Sequence, residues 1–229
     1  GPDYTQETKM SGFIIALDGA AASGKGTLGQ KLAVHYALSY LDTGLTYRAV
    51  AHSLLENNLP LDDEELLVAI AEKVDLTQLD KDRLSSHALG QAASKIAIYP
   101  ALRQVLIKKQ RSFAKHSQGI VLDGRDIGTV VCPNAHAKLF IIADLDTRAQ
   151  RRFAQIQQKG LASETYEEIK QQLAQRDERD CKRKEGALKP ARDALLLDTT
   201  KLGIEEAFYT ACQLIAPSWQ KYQASITTN

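Results

Sequence analysis

Apolar positions along the chain fall into two alternating patterns. Five short runs, Phe13–Leu17, Leu38–Leu41, Ile120–Leu122, Leu139–Ala143 and Ala194–Leu197, are apolar almost throughout. Such runs predict strands buried on both faces of a parallel sheet. Between them, apolar residues recur with helical spacing over Leu28–Tyr36, Tyr47–Leu55, Glu64–Ala71, His87–Ile98, Leu102–Ala114, Thr147–Gln158, Tyr166–Arg179 and Ile204–Ile215. Strands alternating with helices predict an α/β domain with parallel crossovers and a ligand crevice at the carboxyl ends of the strands. Asp18, Asp42, Asp123, Asp144 and Asp198 follow the runs at those ends. Asp144 and Asp146 are expected to cap a helix or form a turn. Residues 51–98, mostly helical, and 154–190, highly charged, read as insertions; "RDERDCKRKEG" alone would be a solvated helix face or a loop.

Composition narrows the partners. Lys and Arg total 29 against 28 Asp and Glu, so the net charge is +1 and any anion site must be built locally. A length of 229 residues with 44% hydrophobic and 25% charged suits one globular domain with insertions. Cys132, Cys181 and Cys212 form no C-x-x-C and the five histidines no H-x-x-x-H, so a reducing compartment without a zinc site is expected. No apolar run reaches the length of a membrane span. Residues 1–11 lack the apolar segment of a signal peptide and are expected to be a cloning remnant plus a short tail.

The densest chemistry lies in Gly19-Ala20-Ala21-Ala22-Ser23-Gly24-Lys25-Gly26-Thr27, which follows a predicted strand and opens a helix. Glycines let backbone N–H groups turn inward as an anion nest, the helix N-terminus adds its dipole, and Lys25 can reach β- and γ-phosphates. The ordinary motif sets Ser or Thr directly after the lysine, where the hydroxyl meets Mg²⁺. Here Gly26 intervenes before Thr27. A G-K-G-T ending resembles the phosphate loop of nucleoside monophosphate kinases, and no N-K-x-D base-reading motif of GTPases is present.

Three further stretches make the resemblance specific. "LDTGLTYRAVA" (41–51) is similar to the L-D-[ST]-G-x-x-Y-R segment of bacterial cytidylate kinases. "VLDGRDIGTVVCPNAHAKLFIIAD" (121–144) resembles their D-G-R-D-x-G-T-V-V-x-P block, and "RAQRR" (148–152) and "QRDERDCKR" (175–183) resemble their lid and the helix after it. The likeness covers nearly the whole chain after Gly12. It implies a P-loop kinase fold: a five-stranded parallel sheet flanked by helices. One kinase domain over 12–229 is then expected, with a core of 12–50, 99–147 and 191–217. A small, mostly helical acceptor-binding insert falls at about 51–98, and an arginine-rich lid with its following helix at about 148–190. Many members carry a longer insert with a small β-element, where here only "DLTQLDKDRLSSHALGQAA" lies (75–93). The implied reaction is ATP + CMP or dCMP to ADP + CDP or dCDP with Mg²⁺. The implied setting is a cytoplasmic monomer acting on small molecules, without nucleic-acid or membrane partners.

Roles follow residue by residue. Guanidinium groups pair with phosphate oxygens in a bidentate way, and the resemblance gives Arg48 and Arg125 to the acceptor phosphate, with Thr43, Tyr47 and Gly124 beside them. Arg176, Asp180 and Arg183 share one helix face by spacing. By resemblance Asp180 accepts from the ribose hydroxyls, helped by Arg176 and Ser94. Asp126 accepts from the cytosine amino group, and Arg103 and Arg183 donate to the base. Without the resemblance, Arg103 and the 176–183 face would read as solvated surface. Arg148, Arg151 and Arg152 also share a face and would close over the γ-phosphate. With Lys25 and Asp123 they form the expected catalytic set, and Asp123 and Thr27 are expected to hold Mg²⁺ through water. Two alternatives stay open: another small kinase, for adenylate or uridylate, and an RNA-binding surface at 148–183. Near-neutral charge and the lack of an aromatic stacking motif oppose the second.

Overall fold

A computed structural model describes residues 12–160 and 164–227. The tail expected at 1–11 lies outside them. Five parallel strands, β1 (Phe13–Gly19), β2 (Ser39–Asp42), β3 (Gly119–Gly124), β4 (Ala137–Ile142) and β5 (Leu195–Asp198), lie in the order β2-β3-β1-β4-β5. All five fall on the apolar runs. Burial on both faces holds for β1 and β3, where Ile15, Ala16, Leu17, Ile120, Val121 and Leu122 are buried. At β5 that expectation fails: Leu195 and Leu196 are 46% and 60% exposed. An edge strand lacks an outer neighbour, and only Leu197 reaches the core.

Among the described residues, eight α-helices occupy the segments with helical spacing: α1 (Lys25–Tyr36), α2 (Thr43–Glu56), α3 (Glu64–Lys73), α4 (His87–Ile96), α5 (Pro100–Lys115), α6 (Leu145–Gln158), α7 (Tyr166–Lys182) and α8 (Ile204–Thr227). Short polar side chains start several of them: Asp42, Asp63, Ser86, Asp144 and Thr165 each accept from a first-turn amide. Asp144 thus caps α6 as expected, while Asp146 sits in its first turn and pairs with Lys170 at 2.6 Å. Helix α8 continues well past Ile215 and across Pro217. Trp219 and Tyr222 hold that extension by packing on Phe13.

One face of the sheet packs Ile15, Leu17, Leu139 and Ile141 against Leu28 and Leu32 of α1 and Ala211 and Ile215 of α8. The other sets Ala16, Ile120 and Leu122 against Ala114 of α5 and a π-turn, Ile127–Val131, that spacing did not reveal. Residues 51–98 form helices and a 3₁₀ turn (Leu76–Gln78), with no strand, and share a separate core of Val50, Leu54, Leu67, Leu89, Ile96 and Leu102. Ala149, Ile169 and Leu173 fasten α6 and α7 to Ala21, just beyond β1. No helix among the described residues is long and apolar enough to cross a membrane. The strands' carboxyl ends meet at one place, where Asp18 stands opposite Gly124 and Asp42 opposite Asp123.

Candidate active site

A cavity of about 250 Å³ opens at those strand ends, between the loop after β1, α2, α4, α5, α6 and α7. The loop forms its floor. Ala22 (φ 62°) and Gly24 (φ 91°) take left-handed conformations on either side of Ser23, and this alternation is what curls successive amides into a nest. Its carbonyls are held from behind. Ala21 O accepts from Arg148 Nη1 at 3.3 Å; Ser23 O accepts from Thr199 Oγ1 at 2.9 Å and Arg151 Nη1 at 3.3 Å. A peptide plane is rigid, so a carbonyl fixed outward turns the following amide inward.

Lys25 begins α1 and its Nζ lies 3.3 Å from Asp123 Oδ1. Tyr40 donates its hydroxyl to the other carboxylate oxygen of Asp123. Burial pushes the Lys25 amine below its usual range, against the pull of Asp123. Asp42 lines the same wall, and burial together with the charge of Asp123 pushes its carboxyl up to about 6. The Thr27 hydroxyl stands exposed at the rim.

Across the cavity four guanidinium groups converge. Arg48, on α2, donates Nη1 to Leu84 O (2.8 Å) and Ser86 O (2.9 Å). Arg125, just after β3, donates Nε to Asp180 Oδ2 at 2.9 Å. Arg176, on α7, is 5% exposed, and its Nε and Nη1 have no partner; Arg152 Nε on α6 has none either. Burial, then Arg125, Arg152 and Arg48, push Arg176 well below the usual arginine range. Burial and Arg152 lower Arg48 to about 10. Buried like charges with unsatisfied donors favour an anion beside them. Gly90 lets α4 approach them: a Cβ there would lie 2.5 Å from Arg48 Nη2 and 3.1 Å from Arg176 Nη1.

At the far end, Arg103 of α5 donates to the Asp126 carboxylate and sits over the Tyr47 ring, 5.6 Å from its centroid. Arg183 donates to Asp180 Oδ1 at 3.0 Å and to Gly186 O at 2.7 Å. Burial would raise the Asp180 carboxyl, but Arg125 and Arg183 outweigh it and hold it below the usual range. Gly186 (φ 68°) passes so close that a Cβ would strike Arg103 Nη2 at 1.9 Å. Thr43 donates to Asp123 O at 2.8 Å, in the space that Gly124 leaves open. Ser94 lines the cavity and accepts from Arg179 Nε at 3.1 Å.

Most expected residues therefore surround one cavity, with five exceptions. Asp123 is fully buried behind it, paired with Lys25 and Tyr40. Arg148 turns away to pair with both oxygens of Asp177 (3.0 and 2.6 Å) and with Ala143 O. Arg151 is bound to Thr199 O at 2.6 Å, so of the three arginines only Arg152 lines the cavity. Gly19 and Ala20 stand outside its wall; Gly19 ends β1, where a Cβ would lie 2.6 Å from Ile141 O. Sequence reading gave no role to Tyr40, Gly90 or His87, and treated Asp18 and Asp42 only as strand-end aspartates. The strand ends were the available signal for those two. Among the described residues, no three His, Cys, Asp or Glu side chains gather around a metal position.

A parallel sheet with a phosphate loop after β1, and a second anion site facing it, define a P-loop kinase of the nucleoside monophosphate class. The chain belongs to the cytidylate kinase family, which matches residues 15–216. It is 56% identical over 208 residues to a cytidylate kinase of Bartonella henselae, covering 91% of this chain and 96% of that protein. It is 53% identical over 203 residues to one of Brucella ovis, covering 89% and 92%. A solved shikimate kinase from Bacteroides thetaiotaomicron aligns over 89% of this chain and 98% of its own, with a TM-score of 0.47 and 13% identity, a likeness too loose to bear on function.

Proposed function

We propose that this chain transfers the terminal phosphoryl group of ATP to CMP or dCMP, giving ADP and CDP or dCDP. The observation that carries the proposal is the pairing of two anion sites in one cavity, the phosphate loop and the arginine cluster, with Arg103 and Asp126 beyond the second. Donor phosphates rest on the loop amides and on Lys25, which exchanges Asp123 for a phosphate oxygen. Arg48 and Arg125 take the acceptor phosphate. Arg176, expected from sequence to help Asp180 at the ribose, is instead assigned to the phosphate with them, because its unpartnered nitrogens are buried beside Arg48 and Arg125. Arg152 meets the transferred group, whose charge must be neutralised as the bond to the donor breaks. Asp126 accepts from the amino group of cytosine, Arg103 and Arg183 donate to its ring, and Asp180, with Ser94 near it, binds the sugar. A carbonyl in place of the amino group would face Asp126 unpaired, which disfavours UMP.

No side chain is assigned as general base, since the acceptor phosphate is itself an anion. Segment 51–98 serves as the acceptor-binding part and 148–190 as a lid that excludes water. Residues 157–160, at the end of α6, would serve as its hinge; residues 161–163 lie outside the described residues. For Mg²⁺ the donors fit: Thr27, Asp42 and Asp123 offer hard oxygen atoms, and the repulsion between the two carboxylates favours a cation beside them. Thr27 and Asp123 would hold the ion through water. When bound, such an ion supplies neutralisation of the phosphate oxygens. The protein is proposed to act as a cytoplasmic monomer on small molecules alone.

A coupled assay with ATP and Mg²⁺ across CMP, dCMP, UMP, AMP and GMP tests the proposal. CMP and dCMP should have the highest kcat/KM. Faster turnover of UMP, AMP or GMP would overturn it.

A further inference from the structure

Asp18, next to last in β1, is 5% exposed and does not line the cavity. Its Oδ1 accepts from Ile127 N and its Oδ2 from Gly128 N, both at 2.8 Å. These amides open the π-turn Ile127–Val131, where the first N–H groups of a helical turn have no partner of their own. The other end is clamped as well: Arg111 donates Nε to Val131 O at 3.0 Å and Nη2 to Val130 O at 2.6 Å. Asp126 immediately precedes the turn, and its carbonyl accepts from Val130 N (2.9 Å) and Val131 N (3.0 Å). The backbone of Asp126 is thus fixed from both sides while its side chain reaches Arg103 in the cavity.

We infer that Asp18 is a positioning residue for acceptor selectivity, acting through the π-turn to aim Asp126 at the base. The inference rests on CMP being the acceptor. Burial pushes the carboxyl up to about 6, against the two amides that donate to it. What the site needs is two acceptor atoms side by side, one for each consecutive amide. Asparagine matches aspartate in shape and removes the buried charge, yet it turns one of the two acceptors into a donor that faces an N–H group. Asp18→Asn should therefore free one end of the turn without emptying space in the core.

The test uses the full chain carrying Asp18→Asn, with kcat/KM for CMP and UMP and KM for ATP. Loss of one buried charge-assisted bond should lower the CMP/UMP ratio about 10-fold, mainly through KM for CMP, with KM for ATP within about twofold of wild type. Arg111→Met loosens the turn from its other end and should shift the ratio in the same direction, which decides the matter if Asp18→Asn does not fold. An unchanged ratio in the folded variant, or a rise in KM for ATP equal to that for CMP, overturns the inference. A wild-type enzyme that does not prefer CMP to UMP would instead overturn the acceptor assignment.

Discussion

Arg125 donates its Nε–H to Asp180 Oδ2 at 2.9 Å, joining the strand end after β3 to helix α7. In the proposed reading the pair links the phosphate end of the acceptor site to its sugar end, and the second oxygen of Asp180 is taken by Arg183. Asp180→Asn should lower kcat/KM for CMP by about 10- to 100-fold, since two buried charge-assisted bonds are weakened together. Combined with Arg125→Ala, the loss should fall short of the sum of the single losses. Steady-state kinetics of the three variants checks this, and strict additivity would mean that the two residues act apart.

The three arginines of α6 should divide into two kinds of variant. Arg152 has a free Nε in the cavity, so Arg152→Ala should lower kcat far more than it affects ATP binding or thermal stability. Arg148 is bound to Asp177 and to the phosphate-loop carbonyl of Ala21. Arg148→Ala leaves a half-buried carboxylate without its partner and should cost about 2–4 kcal/mol of stability. Thermal unfolding beside kinetics separates the two, and the reverse pattern would contradict this division.

Gly90→Ala is expected to act on the acceptor alone. Alanine suits a helix better than glycine by about 1 kcal/mol, so the fold should hold. The added Cβ would press on Arg48 Nη2, and Arg48 is tied to the Leu84 and Ser86 carbonyls and cannot swing freely aside. KM for CMP should rise several-fold while KM for ATP stays put. Equal effects on both substrates would show that the contact is not confined to the acceptor end.

Periodicity and strand-end chemistry carried much of the architecture. Phe13–Leu17 and Ile120–Leu122 read as strands because buried parallel strands need little else, and the loop at 19–27 declared its chemistry by glycine and lysine spacing. Spacing could not sort Arg148, Arg151 and Arg152, since all three share one face and their partners are remote in sequence. Asp177 lies 29 residues from Arg148, and Thr199 lies 48 from Arg151. The exposed Leu195 and Leu196 escaped for a similar reason: an apolar run does not say which strand ends at the edge. Asp18 reads from sequence as a strand-end residue, and only the unforeseen π-turn shows what it holds.

His87 should make the protein sensitive to acid. Its Nε2 meets Gln172 Oε1, an acceptor, which fixes the proton on Nε2 and leaves the buried Nδ1 bare. Burial, against the Gln172 bond and with Arg152, Arg176 and Arg48 nearby, lowers the imidazole to about 4 from 6.5. The unfolded chain accepts a proton below 6.5 that the folded one refuses. His87 therefore contributes stability above pH 6.5, and the contribution is lost as pH falls toward 4. Tm measured from pH 7 to 4 should fall less steeply in His87→Gln than in wild type; parallel curves would remove His87 from the effect.

The central claim is that the buried arginines are gathered for the acceptor phosphate, and Arg176 tests it most directly. Two of its nitrogens lack partners, and Arg48, Arg125 and Arg152 repel it. Arg176→Met keeps the apolar stem and removes the repulsion, so the free protein should be at least as stable as wild type. The decisive measurement is calorimetric titration of wild type and Arg176→Met with CMP and with cytidine, which lacks the phosphate. Wild type should bind CMP much more tightly than cytidine, and the variant should lose most of that difference while its affinity for cytidine is unchanged. A variant that keeps the full preference for CMP would show that the phosphate is bound elsewhere.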